Sequence, residues 1–521
     1  MSATATVEQL AAIPLSVLDT ETLMQVAVDQ GVCCRPLLRR VTDRATGDVT
    51  TVPIPCGSTR TSICPACAGK AARLRMTQCR EGWHLADEPQ TPVPANNTDE
   101  PEPEPNDDEG SRRVRSTSRR QDVPDLPRVQ MDAATVGKTF TAPDGATYRP
   151  SMFVTLTLPS YGRIIPGSGV PADPSRYDYR RAALDALHFP KLVDRWVQNL
   201  RRCAGYSVQY FGAVEAQRRL APHLHIALRG AIPRATLRAV SAATYVQLWW
   251  PSFDDEHLIY TDPDTCPVYD RATGRYVNPA TGEALTSWGE ALDTLDRDAN
   301  AAPAHVARFG TQVDIKGLLG GTPDSDRAVR YLCKYLTKDI ASTYTDDETP
   351  DAAYEAHIDR LHHETRWLPC SPNCSNWLRY GIEPADPGPG LIPGRCPAKA
   401  HDRETLGLGG RRCLVSRKWS GKTLAEHKAD RAAVVRAALE AAGIDAPNAR
   451  RMAADEPHTD GQPRYVWENL PLDARDYVTA IAASIAQATR WRHEYAHAKA
   501  LLTPQQPPPD RPVDSHSAIA A

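Results

Sequence analysis

The chain has 521 residues, with 61 Lys+Arg against 64 Asp+Glu for a net charge of −3, and it holds 13 Cys and 45 Pro. That length exceeds what one hydrophobic core organises, so several domains are expected. No run of about eighteen apolar residues exists, which excludes a transmembrane helix. The N-terminus lacks a basic-then-apolar signal pattern, so the expected location is cytoplasmic, where clustered cysteines read as metal ligands rather than disulfides.

Residues 1–85 hold six of the cysteines. Cys64-Pro65-Ala66-Cys67 is a knuckle-type pair, and Cys56 precedes it closely. Cys33 or Cys34 completes a four-thiolate zinc site, with Cys79 in reserve. The composition then changes abruptly. Residues 98–110 (TDEPEPEPNDDEG) carry seven acids and no base, followed by Arg112, Arg113, Arg115, Arg119 and Arg120. So little there is apolar that the stretch cannot offset its own ordering entropy, and 86–145 reads as a disordered linker. The alternative is an acidic mimic that competes with DNA for a basic cleft.

Ordered patterns resume at about residue 140. Residues 152–158 (MFVTLTL) alternate as a strand, with Phe153, Thr155 and Thr157 on one face. Pro190 suits the first residue of a helix, with Leu192, Trp196 and Leu200 as its apolar stripe. Strands are expected at 207–214, 222–229 and 308–315, a turn-rich hairpin insertion at 262–295, and a helix at 329–338. Residues 146–250 carry fourteen Arg/Lys against five Asp/Glu, an excess of nine positive charges hidden by the acidic linker. A phosphate backbone needs such a field.

In the segment 214–230 (VEAQRRLAPHLHIALRG), strand alternation places His223 and His225 on one face and Leu224, Ile226 and Leu228 on the other. Two imidazoles at i, i+2 can share a metal ion, and Glu215 can approach them across a hairpin. Two His and one acid leave coordination positions open, and mixed N/O ligation suits Mn²⁺ or Mg²⁺ as well as Zn²⁺. Taken alone, His-Leu-His also fits an ordinary strand face. In 329–339 (VRYLCKYLTKD), Tyr331, Lys334, Tyr335 and Lys338 share one helical stripe. The stripe is either an amphipathic face with snorkelling lysines or a set of phenols placed to attack a phosphodiester.

In chain order, FVTLTLPSYG at 153–162, E-x7-H-x-H at 215–225 and overlapping Y-x-x-K motifs at 331–338 resemble the three motifs of rolling-circle replication initiators. These are the histidine–hydrophobe–histidine (HUH) endonucleases. The wording around the motifs is closer still to the RepSA-like initiators of actinomycete plasmids and integrative elements. The core resemblance spans 146–345, and its flanks extend to about 30–430. It implies an α+β fold, an HUH-type central antiparallel β-sheet flanked by helices, with zinc modules and a C-terminal helical region added. It implies origin nicking that leaves a 5′-phosphotyrosine and a 3′-OH primer. His223, His225 and Glu215 carry over as metal ligands, with Gln217 as a substitute. Tyr335 carries over as main nucleophile, Tyr331 as an alternate for termination, and Lys334 and Lys338 as supporting cations. Thr155 and Thr157 line the sheet near DNA or pack.

Cys370, Cys374, Cys396 and His401 form a second set with structural-zinc spacing, in a module at 346–421. Cys203, Cys266, Cys333 and Cys413 read as isolated buried thiols. The region 422–521 is Ala-rich and helical, with a Pro-rich tail. Ser420-Gly421-Lys422-Thr423 resembles the end of a P-loop, but Ser416 stands where that motif needs Gly. Without a helicase of its own, the chain would need host helicase and polymerase as partners, besides origin DNA and no membrane. The basic run 411–419 is a DNA-backbone contact or a solvated strand. Two other functions fit less well. An HUH relaxase or transposase would use the same chemistry, though relaxases usually add a third His. A zinc-dependent DNA-binding regulator would need no catalysis.

Overall fold

Alternation in two short segments, 150–157 and 222–229, builds the centre of the molecule. A computed structural model describes residues 20–83, 85, 87–89, 126–145, 147–262, 265–319, 322–334, 336–337, 352–409, 412–443, 458–470 and 474–502. Two units emerge: Ala71–Leu424, and Met1–Lys70 with Ala425–Ala521.

The larger unit contains β1 (Pro150–Thr157), α1 (Tyr179–Ala204), β2 (Tyr210–Ala216), β3 (Pro222–Arg229), α2 (Arg234–Ala243), β4 (Tyr245–Leu248), β5 (His305–Arg308), β6 (Val313–Leu319), α3 (Pro323–Lys334), α4 (Ala352–Trp367) and β7 (Cys413–Val415). Five of the strands form an antiparallel sheet in the order β6-β1-β3-β2-β7. On one face Val154, Leu156, Leu224, Ile226 and Leu228 are fully buried, and they share a core with Leu192, Trp196 and Leu200 of α1. Each such aliphatic side chain contributes about 1.5–3 kcal/mol by leaving water. The opposite face carries Phe153, Phe211, Ala213 and Ala227 beneath Val329, Leu332 and Cys333 of α3, with Trp419. The sheet therefore has a thick core on one side and a thinner apolar cover on the other.

Several expectations from sequence change here. Pro190 lies inside α1 and does not start it. The start is set by Asp178, whose side chain accepts from Arg181 N at 2.9 Å. Burial of a long stripe outweighs the one hydrogen bond that Pro190 cannot make. The strand read at 308–315 is two strands: β5 pairs with β4, and β6 pairs with β1. Between them Gly310 N donates to Thr157 O at 2.7 Å, and a Cβ at 310 would meet the Leu158 carbonyl. Among the described residues, the helix read at 329–338 begins earlier and covers Pro323–Lys334. The expected hairpin insertion holds the pair Val268–Asp270 and Arg275–Val277.

The segment read as a linker at 86–145 contains described residues that pair with the rest of the unit. Residues 90–125 lie outside the described residues, but Val129 N bonds Arg202 O, and Asp132 bridges to Tyr206. The segment 346–421, read as a module of its own, shares the main core through Tyr354, Ile358, Trp377 and Leu406, and it supplies the edge strand β7. Trp419 is fully buried, so this aromatic of the basic run belongs to the core, while Arg417 beside it is exposed. Cys333 and Cys413 are not isolated, because they sit with Cys79 in one apolar cluster.

The smaller unit joins the chain ends that sequence kept apart as 1–85 and 422–521. Leu37–Asp43 pairs with both Val49–Ile54 and Tyr465–Asn469. Helices Thr20–Asp29 and Ala474–Leu502 meet through Leu23, Ala27, Ile481 and Ile485, with the N-terminal cysteines in the same core. Among the described residues, no helix is long and apolar enough to cross a membrane.

Candidate functional site

The site rests on the β2–β3 hairpin. Its turn is closed by Gln217 N to Ala221 O and Leu220 N to Gln217 O, both 2.8 Å. Leu220 adopts a left-handed φ of 63°. Such a backbone is costly for Leu and persists only where its surroundings enforce it. The side chain is buried, and Arg219 ties the turn to β1 by donating to Pro159 O (2.6 Å) and Leu158 O (2.7 Å).

Register then delivers the cluster. Glu215 lies directly opposite His223, and Thr155 directly opposite His225. Directly opposed residues share a face, so the carboxylate and both imidazoles point the same way. Glu215 Oε2 is 3.6 Å from His223 Nε2 and 3.7 Å from His225 Nε2. The three ligand-type atoms lie within 4.8 Å of one another. Glu215 Oε1 and His223 Nε2 are buried with no hydrogen-bond partner among the described residues. A buried polar atom without a partner is unfavourable unless something else satisfies it, so this trio fits a divalent cation.

Electrostatics agree with that fit. Burial pushes the Glu215 carboxyl up to about 7, against the pull of His225, Arg412 and Lys334. Burial also lowers His223 and His225 to about 4, helped by Arg219 at His223 and by His223 at His225. Both imidazoles are neutral at pH 7 and each offers a lone pair. A cation would supply the positive charge that the buried carboxylate lacks.

Two residues behind Glu215, His223 and His225 complete the arrangement. Thr155 Oγ1 is 2.9 Å from His225 Nδ1. With Nε2 free as a ligand, Nδ1 carries the proton and donates to Thr155. Phe153 stacks on the same ring at 5.9 Å. Sequence placed Thr155 on the correct face without this role, because only the β1–β3 register reveals it. Thr157 is instead used locally, donating to Gln312 O at 3.1 Å. Gln217 accepts from Arg219 Nε at 2.8 Å and does not join the ligands.

From α3, the Tyr331 hydroxyl reaches His225 Nε2 at 3.2 Å, its ring perpendicular to the imidazole at 4.8 Å. Tyr331 is 43% exposed, so the phenol borders both the cluster and solvent. Lys334 ends α3 and is also exposed. Tyr335 and Lys338 lie outside the described residues.

Both cysteine groups converge. Cys33, Cys56, Cys64 and Cys67 bring their thiols within 4.8 Å of one another, and so do the ligand atoms of Cys370, Cys374, Cys396 and His401. Cys34 stands outside the first set, its thiol directed at Ile63 O, 3.9 Å away. Cys79 belongs to the apolar cluster of the larger unit.

A family model described as replication initiator protein, pSAM2 (RepSA), matches residues 19–491. No curated protein and no solved structure gives a match.

Proposed function

The chain belongs to the RepSA family of replication initiator proteins, and we propose that it acts as an HUH endonuclease, nicking one strand at the replication origin by tyrosine transesterification. The observation that carries this reading is the approach of the Tyr331 hydroxyl to His225 Nε2, 3.2 Å, beside converging Glu215 and His223. Glu215, His223 and His225 would hold Mn²⁺ or Mg²⁺, which when bound would polarise the scissile phosphate. The phenol oxygen of Tyr331 or Tyr335 attacks phosphorus and gives up its proton to solvent. The bond from phosphorus to the 3′ oxygen breaks. That oxygen takes up a proton and becomes the primer 3′-OH, while the 5′ phosphate stays on the tyrosine. Lys334 and Lys338 stabilise the phenolate and the charge on the phosphoryl oxygens. Host helicase and polymerase then extend the primer.

The test is a nicking assay on single-stranded origin oligonucleotides with and without Mn²⁺ or Mg²⁺. We expect a covalent adduct that survives denaturing electrophoresis. Tyr331→Phe and Tyr335→Phe, singly and together, identify the nucleophile. An adduct that persists in the double variant, or cleavage indifferent to metal, refutes the mechanism.

A further inference from the structure

The Cys370, Cys374, Cys396 and His401 cluster is built as a closed metal site. Cys374 Sγ lies 3.5 Å from His401 Nε2, and Cys370 Sγ lies 3.9 Å from Cys396 Sγ. His401 Nδ1 is 2.6 Å from the Thr365 carbonyl, to which it donates. That bond fixes the tautomer and leaves the Nε2 lone pair facing the thiols, the usual support of a metal-bound histidine. Three thiolates and one imidazole make a tetrahedral structural set that has no position left for substrate.

Thr365 belongs to α4, and α4 leads to the ligand hairpin. Two turns earlier on that helix, His357 accepts from Tyr179 OH at 3.0 Å through Nδ1 and donates from Nε2 to Arg219 O at 3.4 Å. Tyr177 OH donates to the same carbonyl at 3.2 Å. Arg219 sits in the turn between Glu215 and His223. A continuous chain of contacts thus runs from His401 through α4 to the turn that sets the spacing of the catalytic ligands.

We propose that Cys370, Cys374, Cys396 and His401 bind zinc, and that this zinc, through α4 and His357, holds the β2–β3 turn so that Glu215, His223 and His225 converge. The second half of this proposal rests on reading those three residues as a metal site. His357 is a positioning residue that touches neither metal nor DNA.

The experiment uses the full chain and two independent readouts: zinc per chain by elemental analysis, and Mn²⁺ affinity by titration calorimetry. His401→Ala should contain one zinc fewer than the parent and bind Mn²⁺ about tenfold to a hundredfold more weakly. His401→Cys, which restores a four-thiolate set, should keep both properties. His357→Phe keeps the ring packing and every zinc ligand, so it should retain its zinc yet lose Mn²⁺ affinity. His357→Gln keeps a donor toward Arg219 and should recover it. Unchanged zinc content in His401→Ala overturns the zinc site. Unchanged Mn²⁺ affinity in His357→Phe overturns the coupling, even if His401→Ala fails to fold. Zinc content is read without nicking, so a parent chain that binds zinc but neither Mn²⁺ nor origin DNA would overturn the nuclease reading and the coupling together, leaving the zinc site supported.

Discussion

Thr155→Val is the sharpest test of how the cluster is held. The substitution keeps the branched shape and removes one oxygen, 2.9 Å from His225 Nδ1. His225 is only 5% exposed, so water is a poor replacement for that partner. Leaving a buried donor unsatisfied costs about 1–3 kcal/mol. The imidazole can avoid this by moving its proton to Nε2, toward Glu215 Oε2 at 3.7 Å. That tautomer leaves its lone pair on Nδ1, turned toward residue 155 and away from Glu215 and His223. Either route penalises the metal-bound state, and about 1–3 kcal/mol corresponds to roughly 5-fold to 150-fold in affinity. Calorimetric titration with Mn²⁺ measures it directly. Thr155→Ser should restore most of the affinity, because it returns the oxygen without the methyl. Parent-like binding by Thr155→Val would refute the assignment, and equal losses in Val and Ser would show that the hydroxyl alone does not account for the hold on His225.

Two further outcomes follow from the same face of the sheet and from the opposite one. Glu215 has its folded pKa raised to about 7. Its contribution is therefore fully present below the unfolded value and is lost as pH rises through about 7, a loss of about 3 kcal/mol by pH 8. Metal-free Glu215→Gln should accordingly be more stable than the parent at pH 8 and no more stable at pH 4 in urea titrations, while binding Mn²⁺ more weakly; equal midpoints at pH 8 would count against a strained carboxylate. Leu224 points away from the ligands and is fully buried, so Leu224→Ala should lower stability by about 2–5 kcal/mol while leaving Mn²⁺ affinity at low temperature near parental.

What could be read in the sequence was whatever strand alternation decides locally. His223 and His225 fall on one face because they are two residues apart, and Glu215 joins them because the hairpin turn is short. Thr155 needed the register between strands about seventy residues apart, which alternation does not supply. Pro190 misled because a rule about first turns competes with burial of a whole stripe, and burial won. The 346–421 segment looked separate because cysteine spacing suggests a self-contained module, whereas Tyr354, Ile358 and Trp377 lie in the main core. The choice between Tyr331 and Tyr335 was open for a related reason. Helical periodicity puts both on one stripe, and of the two only Tyr331 lies among the described residues.

The sheet divides its two tasks between its faces, and this bears on how metal and stability are linked. The core face carries fully buried Leu and Ile against α1 and supplies most of the apolar burial. The ligand face places an unsatisfied carboxylate oxygen and imidazole nitrogen beside Phe153 and Ala213. Such groups oppose folding, and their penalty is largest in the metal-free chain. A cation that satisfies them binds the folded state and not the unfolded one, so it stabilises the fold by RT ln(1 + [L]/Kd), about 2.7 kcal/mol at a hundredfold excess over Kd. Mn²⁺ should therefore raise the melting temperature of the parent in proportion to the logarithm of its concentration. It should do so far less in Glu215→Gln, where the neutral amide no longer supplies the charge that makes the site favour a cation. A parent that melts at the same temperature with and without Mn²⁺ would mean that the unsatisfied atoms of Glu215 and His223 are a local defect of packing and not a metal site.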